Sequence, residues 1–251
     1  MATYRNLVIL FHGVGARGAD LSPLGRVWGR SLPDTDFSAP DAPFPFDGGG
    51  LLHQWFSLTG ITPDNRPDRV AAARPAFDRV VQGILDWHGM ADRLDRVVFE
   101  GFSQGTIMAL DAFASGRWPV AAVLGYSGRL ATRDPLRPRT ASRVLLIHGS
   151  ADTAVPPEES EVAAPRLRAA GVDTALRILP RLGHTISPEG AGLGGAGGHP
   201  AAPPAVTVPP GAAAGDPAVL FVTIGHEAER KPPRWEAAGR REGGAACVGG
   251  R

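Results

Sequence analysis

The feature that most constrains this chain is a Gly-x-Ser-x-Gly pentapeptide, residues 101–105, which lies between two different sequence patterns. Residues 96–99 before it include two valines and a phenylalanine, as in a buried strand, and residues 106–110 after it are good helix formers. A strand that passes directly into a helix needs one residue with strained dihedral angles and neighbours with almost no bulk. The two glycines supply that space, so the turn raises the side chain of Ser103 above the edge of the sheet.

The backbone N–H groups at the start of the following helix have no intrahelical partner. They face the position at which a negatively charged oxygen would form beside Ser103. The pentapeptide alone is common, and a tight turn with an incidental serine also accounts for it. The strand pattern before it and the helix pattern after it favour a reactive serine.

Further apolar runs predict buried strands, and helical patterns separate them. Strands that alternate with helices indicate an α/β fold with a mostly parallel, doubly wound sheet and helices on both faces. The helical spacing assigns Val27 and Trp87 to buried faces, and Pro75 predicts a kink. The strand-like runs are residues 7–11, 96–99, 121–126, 143–147 and 174–179, and the helix-like runs include 20–32, 64–87 and 158–170.

Three of the predicted strand ends carry Ser103, Asp152 and His184. Parallel sheets present their reactive groups at the carboxyl ends of the strands, so these side chains are expected to meet. A serine is a poor nucleophile unless a base takes its proton, and histidine suits that role near neutral pH. A carboxylate then holds the imidazole in the right tautomer. The chain order Ser, Asp, His is that of the α/β-hydrolase arrangement.

Each of these three residues has rivals in the sequence. His12 and His148 each precede a glycine at a strand end, which favours a structural role in which the ring bonds to nearby loop backbone. His226 follows a later strand-like run, residues 218–224, but His184 follows the strand after Asp152 directly. The remaining rivals lie in turns, in loops, in helices or at a strand end without the pentapeptide: His53, His88, Asp111, Asp134, Asp173 and Ser127.

A competing interpretation comes from Gly13, Gly15 and Gly18, which form a G-x-G-x-x-G pattern after the first strand. That pattern is typical of NAD or FAD proteins, in which an acidic residue about 20 positions later ends a second strand. Asp34 and Asp36 have no evident strand before them, so a nucleotide-binding oxidoreductase is the less favoured hypothesis. A glycine-rich turn here can instead aim a backbone N–H at a substrate oxygen.

Five segments together resemble the phospholipase/carboxylesterase family of α/β-hydrolases, which includes small bacterial carboxylesterases and the acyl-protein thioesterases. The resemblance covers residues 7–190, and residues 54–62 are more similar to a bacterial esterase branch of the family. The five segments are Leu-Phe-His-Gly-Val-Gly at 10–15, Gly-Phe-Ser-Gln-Gly at 101–105, Gly-Tyr-Ser-Gly at 125–128, His-Gly-Ser-Ala-Asp at 148–152 and Gly-His at 183–184.

The resemblance implies an esterase or thioesterase that works without metal or cofactor, on a fold with no separate cap domain. It implies Ser103 as nucleophile, Asp152 as orienting acid and His184 as base. It also implies an oxyanion hole made by the backbone N–H groups of Val14 and Gln104. Independently, the long Pro- and Gly-rich loop at 39–60 contains clustered apolar residues, which predict that Trp55 and Phe56 form a substrate wall. A catalytically inactive hydrolase-fold protein that acts by binding is the alternative.

Charge and cysteine content limit the class of partner. Lys and Arg number 26 against 25 for Asp and Glu, so nothing argues for nucleic acid or an anionic membrane surface. The single cysteine, Cys247, excludes an internal disulfide framework and a cysteine-built metal site. No run approaches the roughly 20 apolar residues of a membrane span, so we expect no stable membrane insertion and a cytoplasmic location. The expected partner is a small-molecule ester, and a homodimer is compatible with the sequence.

The composition changes after residue 190. More than half of residues 191–251 are Gly, Ala or Pro, a composition that buries too little apolar surface to offset the entropy of ordering. The predicted organisation is therefore a catalytic domain at 1–190 and a disordered low-complexity tail at 191–251. The family continues at this point with an amphipathic helix, so one face of the sheet is expected to lose its cover. A natural flexible tail and a change of reading frame both account for the segment.

Overall fold

The computed structural model describes residues 6–32 and 34–192, and its centre is a six-stranded sheet. The strands of this sheet are β1 (Asn6–Phe11), β2 (Thr35–Ser38), β5 (Val97–Phe102), β6 (Ala122–Tyr126), β7 (Arg143–Gly149) and β8 (Asp173–Leu179). Their order is β2-β1-β5-β6-β7-β8, and every neighbouring pair is parallel. A separate antiparallel ribbon consists of β3 (Phe44–Pro45) and β4 (His53–Gln54).

Helices cover both faces of the sheet, as the sequence predicts. They are α1 (Ser22–Gly29), α2 (Arg66–His88), α3 (Gln104–Ala114), α4 (Glu158–Ala169) and α5 (Pro188–Gly192), with 3-10 turns at Gly18–Leu21 and Leu94–Arg96. Buried residues of α2, α3 and α4 pack together on one face, and those of α1 pack on the other. The two hydrophobic clusters are therefore separated by the sheet itself.

Strand β1 shows why a fully apolar run is needed at the centre of such a sheet. Leu7, Ile9 and Phe11 contact the cluster of α2, α3 and α4, whereas Val8 and Leu10 contact the cluster of α1. Successive side chains of a strand point to opposite faces, so both faces must be apolar when both are covered. The run at residues 7–11 meets that requirement.

The interpretation that no strand accompanies Asp34 and Asp36 is wrong. Asp36 is the second residue of β2, which pairs with β1 in parallel register. The strand is short, lies at the sheet edge and contains a single apolar residue, Phe37, so it gives no alternating pattern. Its buried carboxylate has a structural partner, because Asp36 Oδ2 lies 3.1 Å from Nδ1 of His88.

Two side chains that the helical spacing assigned to buried faces are exposed. Val27 in α1 is 50% exposed, and Trp87 in the last turn of α2 is 84% exposed. Helix α2 continues through Pro75 and ends at Gly89, whose φ of 64° provides a left-handed cap. Trp87 lies in the last turn of α2, at the end of the apolar stripe, where the helical spacing continues but the side chain is exposed.

The long connection between β2 and α2 packs against the loop that follows β1. The N–H of Gly15 donates to the carbonyl oxygen of His53 (2.9 Å), and the N–H of His53 donates to that of Ala16 (3.0 Å). No connection in the described ranges forms a separate cap domain. Within the same ranges, none of the helices has the length and apolar character needed to cross a bilayer.

The short helix α5 lies on the same face as α1. Trp28 Nε1 donates to the carbonyl oxygen of Ala191 (3.1 Å), and the hydroxyl of Tyr126 donates to that of Gly190 (3.2 Å). This face of the sheet thus has some cover beyond α1. Residues 193–251, with the strand-like run at 218–224 and His226, lie outside the described residues.

Candidate active site

Ser103 lies between β5 and α3 in the strained conformation that the pentapeptide predicts, with φ of 53° and ψ of −115°. The flanking glycines are required by sterics. A Cβ at Gly105 would lie 1.9 Å from the carbonyl oxygen of Phe11, and one at Gly101 would lie 2.4 Å from the backbone nitrogen of Thr106. Any larger residue at either position would displace backbone, so the turn depends on both glycines.

The loop after β8 brings His184 to the side chain of Ser103. His184 Nε2 lies 2.9 Å from Ser103 Oγ, although the two residues are 81 positions apart in the chain. The imidazole also packs against the ring of Phe102, with the ring centroids 4.9 Å apart and the ring planes inclined by 42°. Phe102, the first of the two variable residues of the pentapeptide, thereby forms one wall beside the imidazole, a contact that the sequence pattern did not indicate.

Asp152, after β7, holds the other nitrogen of the imidazole. His184 Nδ1 lies 2.7 Å from Asp152 Oδ2, and Oδ1 accepts the N–H groups of Ala154 (3.0 Å) and Val155 (2.9 Å). Burial raises the pKa of Asp152 and is the largest single influence, but the hydrogen bonds from Val155, His184 and Ser127 together lower the pKa of this carboxyl below its usual value. The carboxylate is therefore ionised and fixed at both oxygens.

The two strand-end histidines have backbone partners, as expected for structural residues. His12 bonds to Gly13 and Ala42, and His148 bonds to Val155 and to the hydroxyl of Ser160. His148 Nε2 also lies 3.3 Å from Asp152 Oδ2.

The other rivals of the three candidate residues lie outside the series Ser103, His184 and Asp152, and one of them, Ser127, donates a hydrogen bond to Asp152. They are His53 in β4, His88 paired with Asp36, Asp111 bonded to Arg74 and Arg117, Asp134 near Arg166, Asp173 at the start of β8, and Ser127, which is 1% exposed.

The predicted oxyanion hole consists of two backbone N–H groups. One belongs to Val14, in the loop after β1, and the other belongs to Gln104, the residue after Ser103. Gln104 is the first residue of α3, so its N–H has no intrahelical acceptor. The N–H of Val14 has no hydrogen-bond acceptor among the residues that the structure describes. Within the described part of the chain, two donors are thus without an acceptor, and the loop that carries Val14 approaches Ser103, because a Cβ built on Gly13 would lie 3.4 Å from the Cβ of Ser103. Stabilisation of a developing oxyanion needs such free donors.

The loop at 39–60 differs from the predicted substrate wall. Trp55 is 1% exposed and Phe56 4% exposed, and the indole packs in the core against Phe11 and Phe77. The apolar clustering in this loop reflects burial, so neither side chain presents a wall to solvent. The side chain of Gln104 fixes the loop instead, because Oε1 accepts the N–H of Trp55 (2.7 Å) and Nε2 donates to the carbonyl oxygen of Phe56 (2.8 Å). No pattern in the sequence indicates this contact.

The glycine pattern after β1 has a local structural explanation. In a dinucleotide fingerprint the third glycine lets the helix pack closely on the strand, and the pyrophosphate lies at the N-terminus of that helix. Here the third glycine is Gly18, and its N–H donates to Asp41 Oδ1 (2.8 Å). A carboxylate at that position would repel the phosphates. The chain then enters a 3-10 turn at Gly18 before α1 begins.

Comparison with known proteins gives a consistent result. The model of the phospholipase/carboxylesterase family matches residues 2–191. Esterase YpfH of Escherichia coli (strain K12) is 33% identical over 182 residues, which cover 72% of this chain and 77% of that protein. Acyl-protein thioesterase 1 of Gibberella zeae is 27% identical over 201 residues, covering 72% of this chain and 84% of that protein.

Solved structures agree with this assignment. Esterase PE8 aligns with a TM-score of 0.68 at 34% identity, covering 75% of this chain and 89% of that one. A carboxylesterase from Mesorhizobium loti aligns with a TM-score of 0.63 at 24% identity, covering 75% and 86%, and supports the fold alone. The α/β-hydrolase fold is confirmed, and the chain is a carboxylesterase- or phospholipase-like enzyme. By the match over most of its described length, this chain belongs to the phospholipase/carboxylesterase family.

Proposed function

We propose that this enzyme cleaves carboxylic esters by double displacement, with Ser103 as nucleophile, His184 as general base and acid, and Asp152 as the residue that orients the imidazole. One observation supports the proposal most. Ser103 Oγ, His184 and Asp152 are joined by hydrogen bonds of 2.9 Å and 2.7 Å. A serine bonded to a histidine that is itself oriented by a carboxylate is the arrangement that activates a hydroxyl near neutral pH.

In the acylation step, Ser103 Oγ attacks the carbonyl carbon of the ester while its proton passes to His184 Nε2. The carbonyl oxygen becomes an oxyanion, which accepts the N–H groups of Val14 and Gln104. The ionised Asp152 stabilises the imidazolium through His184 Nδ1–H. Collapse of the tetrahedral intermediate breaks the bond to the leaving alkoxide, which takes the proton from Nε2 and departs as the alcohol.

In the deacylation step, a water molecule takes the place of the alcohol. His184 Nε2 accepts a proton from this water as its oxygen attacks the acyl carbon, and the same two N–H groups hold the second oxyanion. The bond to Ser103 Oγ then breaks, and the proton on Nε2 returns to that oxygen. The products are a carboxylic acid and the free enzyme, and protein groups and water supply every proton that moves.

Thioesters are a second candidate class, because relatives of this chain include proteins named acyl-protein thioesterase 1. The chemistry differs only in the leaving group, which is a thiol instead of an alcohol. We propose to measure kcat/KM for p-nitrophenyl esters of increasing acyl length beside thioesters that carry the same acyl groups. A higher kcat/KM for the thioester at a matched acyl length would favour that class. The cytoplasmic location and the homodimer stay predictions of the sequence.

The proposed nucleophile is tested with Ser103→Ala, and Ser115→Ala, at the residue that caps the C-terminus of α3, is the matched control. Loss of a triad member costs about 10⁴- to 10⁶-fold in kcat, far more than the packing change from one oxygen atom. We expect Ser103→Ala to lose ester hydrolysis and covalent labelling by a fluorophosphonate, and the control to keep both. If the folded wild-type protein neither hydrolyses esters nor is labelled by the fluorophosphonate, the result favours the alternative hypothesis of an inactive protein that acts by binding. If the fluorophosphonate still labels Ser103→Ala, the nucleophile is another residue, and Ser127 is the next candidate.

A further inference from the structure

The imidazole of His12 is held by the backbone at both ring nitrogens. Nδ1 lies 2.7 Å from the carbonyl oxygen of Gly13, which only accepts, so Nδ1 carries the hydrogen. Nε2 accepts the N–H of Ala42 at 2.9 Å and is therefore unprotonated. One neutral tautomer satisfies both contacts. Burial, the largest influence, lowers the pKa of His12, in agreement with a ring that stays neutral.

The contact with Gly13 has a geometric consequence for the next residue. The Gly13–Val14 peptide bond is trans, so the carbonyl of Gly13 and the N–H of Val14 lie in one plane and point in opposite directions. A donor that fixes the carbonyl of Gly13 on one side therefore fixes the direction of the N–H of Val14 on the other. That N–H is one of the two proposed oxyanion donors.

We propose that His12 is a positioning residue of the oxyanion hole: through the bond from its Nδ1–H to the carbonyl oxygen of Gly13, it aims the N–H of Val14 at the developing oxyanion. The inference rests on the proposed function, because it gives His12 a task only if an oxyanion forms beside Ser103. His12 touches no reacting atom in this scheme and acts through one peptide group.

Other contacts of the same loop support this assignment. Trp55 Nε1 donates to the carbonyl oxygen of His12 (2.9 Å), and the N–H of Gly15 donates to that of His53 (2.9 Å). The peptide groups on both sides of Gly13–Val14 are thus fixed, and the N–H of Val14 stays without an acceptor in the described ranges. An oxyanion donor works best when it is oriented before the reaction and needs no reorganisation.

A purely structural role for His12 would use the other nitrogen. In that case the ring would serve to anchor Ala42 and the loop at 39–60, through Nε2. The two roles can be separated, because the side-chain nitrogen of asparagine reaches the position of Nδ1, whereas the amide of glutamine reaches that of Nε2. His12→Asn keeps a donor for the carbonyl of Gly13, and His12→Gln keeps an acceptor for the N–H of Ala42.

The experiment compares both variants with the wild-type enzyme on one p-nitrophenyl ester, in kcat, KM and the rate of fluorophosphonate labelling, with the melting temperature as a folding control. Loss of an oxyanion donor costs about 10²- to 10³-fold in kcat, and a misaligned donor should cost part of that, on the order of 10- to 100-fold. We expect this loss in His12→Gln, with KM nearly unchanged and labelling slowed to a similar extent. His12→Asn should keep kcat within about threefold of wild type, even if its melting temperature falls.

The reverse pattern, with His12→Gln active and a folded His12→Asn strongly impaired, would overturn the proposal, as would equal activity of the two variants. If His12→Gln does not fold, His12→Asn decides alone: wild-type kcat supports the proposal, and a tenfold loss in a folded protein contradicts it. Failure of the underlying function looks different, because the wild-type enzyme itself would then hydrolyse no ester and take no label.

Discussion

At the scale of single residues, the carboxylate of Asp152 is held by more hydrogen bonds than the one it makes with His184. Oδ1 accepts two backbone N–H groups, so the side chain cannot rotate away from His184. Oδ2 faces His184 Nδ1 at 2.7 Å and His148 Nε2 at 3.3 Å. Burial raises the pKa of Asp152, but the hydrogen bonds from Val155, His184 and Ser127 outweigh it and lower the pKa, which keeps the carboxylate beside the imidazole ionised.

Asp152→Asn tests this assignment. The amide is nearly isosteric but does not hold His184 in the tautomer that leaves Nε2 free to accept a proton, so we expect kcat to fall about 10⁴-fold with the fold preserved. Because the folded-state pKa of Asp152 is lowered, its contribution to stability is present above the unfolded value of about 3.9 and is lost as the pH falls through the folded value. The unfolding free energy of the variant should therefore fall less steeply in acid than that of the wild type. A variant within tenfold of wild-type kcat would contradict the role of Asp152.

At the scale of elements, strand β5 carries a polar group that nothing in the site uses. Glu100 is 0% exposed, and among the residues that the structure describes neither carboxylate oxygen has a hydrogen-bond partner. It pairs with Leu10 and Leu124 on the neighbouring strands. Burial raises the pKa of Glu100 well above its usual value, so the side chain is kept in its neutral form.

Glu100→Gln should stabilise the protein in a pH-dependent way. A group whose folded-state pKa is raised contributes stability that is complete below its unfolded value, about 4.3, and is lost as the pH rises through the folded value. Glutamine has the same shape and does not titrate. The melting temperatures of variant and wild type should therefore be similar near pH 4 and should diverge in favour of the variant as the pH rises to 8. If the difference in melting temperature does not change with pH, the pKa of Glu100 is the same in the folded and unfolded states, and the prediction is wrong.

The contact between α3 and the loop at 39–60 leads to a second prediction at this scale. Gln104→Ala leaves the N–H of Trp55 and the carbonyl oxygen of Phe56 buried without their partner, at a cost of about 1–3 kcal/mol for each group. We expect a lower free energy of unfolding in urea, while the backbone N–H of Gln104 stays in place. Gln104→Glu is the matched comparison, because it keeps an acceptor for the N–H of Trp55 while the donor to Phe56 is replaced by a buried carboxylate oxygen. An alanine variant as stable as wild type would mean that the loop is held by its apolar contacts alone.

The same elements explain what the sequence could predict and what it could not. Strand β1 and the segment from β5 to α3 were predictable because their patterns are long and their burial is two-sided. The edge strand β2 was missed because four residues with one neighbouring strand leave little periodicity. Trp55 and Phe56 were assigned to the wrong environment because an apolar cluster in a loop has the same composition whether it lines a pocket or fills a core.

At the scale of the whole molecule, the parallel sheet explains how residues far apart in the chain meet. Strands β5, β7 and β8 run in the same direction, so the segments that follow them emerge at one edge with Ser103, Asp152 and His184. Chain order and strand ends sufficed to predict this meeting from the sequence. The tasks of His12 and of the Gln104 side chain could not be predicted, because they depend on contacts with the loop at 39–60 that no local pattern encodes.

Helix α5 defines where the folded domain should be cut. The sequence placed the boundary at 190, but the carbonyl oxygen of Ala191 accepts a hydrogen bond from Trp28, so a cut after Gly190 removes a contact of the domain. We expect a chain that ends at Gly192 to keep kcat and to melt within about 2 °C of the full chain. This expectation follows from the Gly-, Ala- and Pro-rich composition of residues 193–251, which offers little apolar surface to bury.

A chain that ends at Ser187 is the matched comparison, because it also lacks the acceptors for Trp28 and Tyr126. Two hydrogen bonds at about 0.5–1.5 kcal/mol each, with about 2–4 °C per kcal/mol for a domain of this size, predict a melting temperature lower by about 2–12 °C. Calorimetry of the three chains separates the contribution of α5 from that of residues 193–251. If the chain ending at Gly192 melts as low as the one ending at Ser187, residues 193–251 stabilise the domain and the predicted division of the chain is wrong.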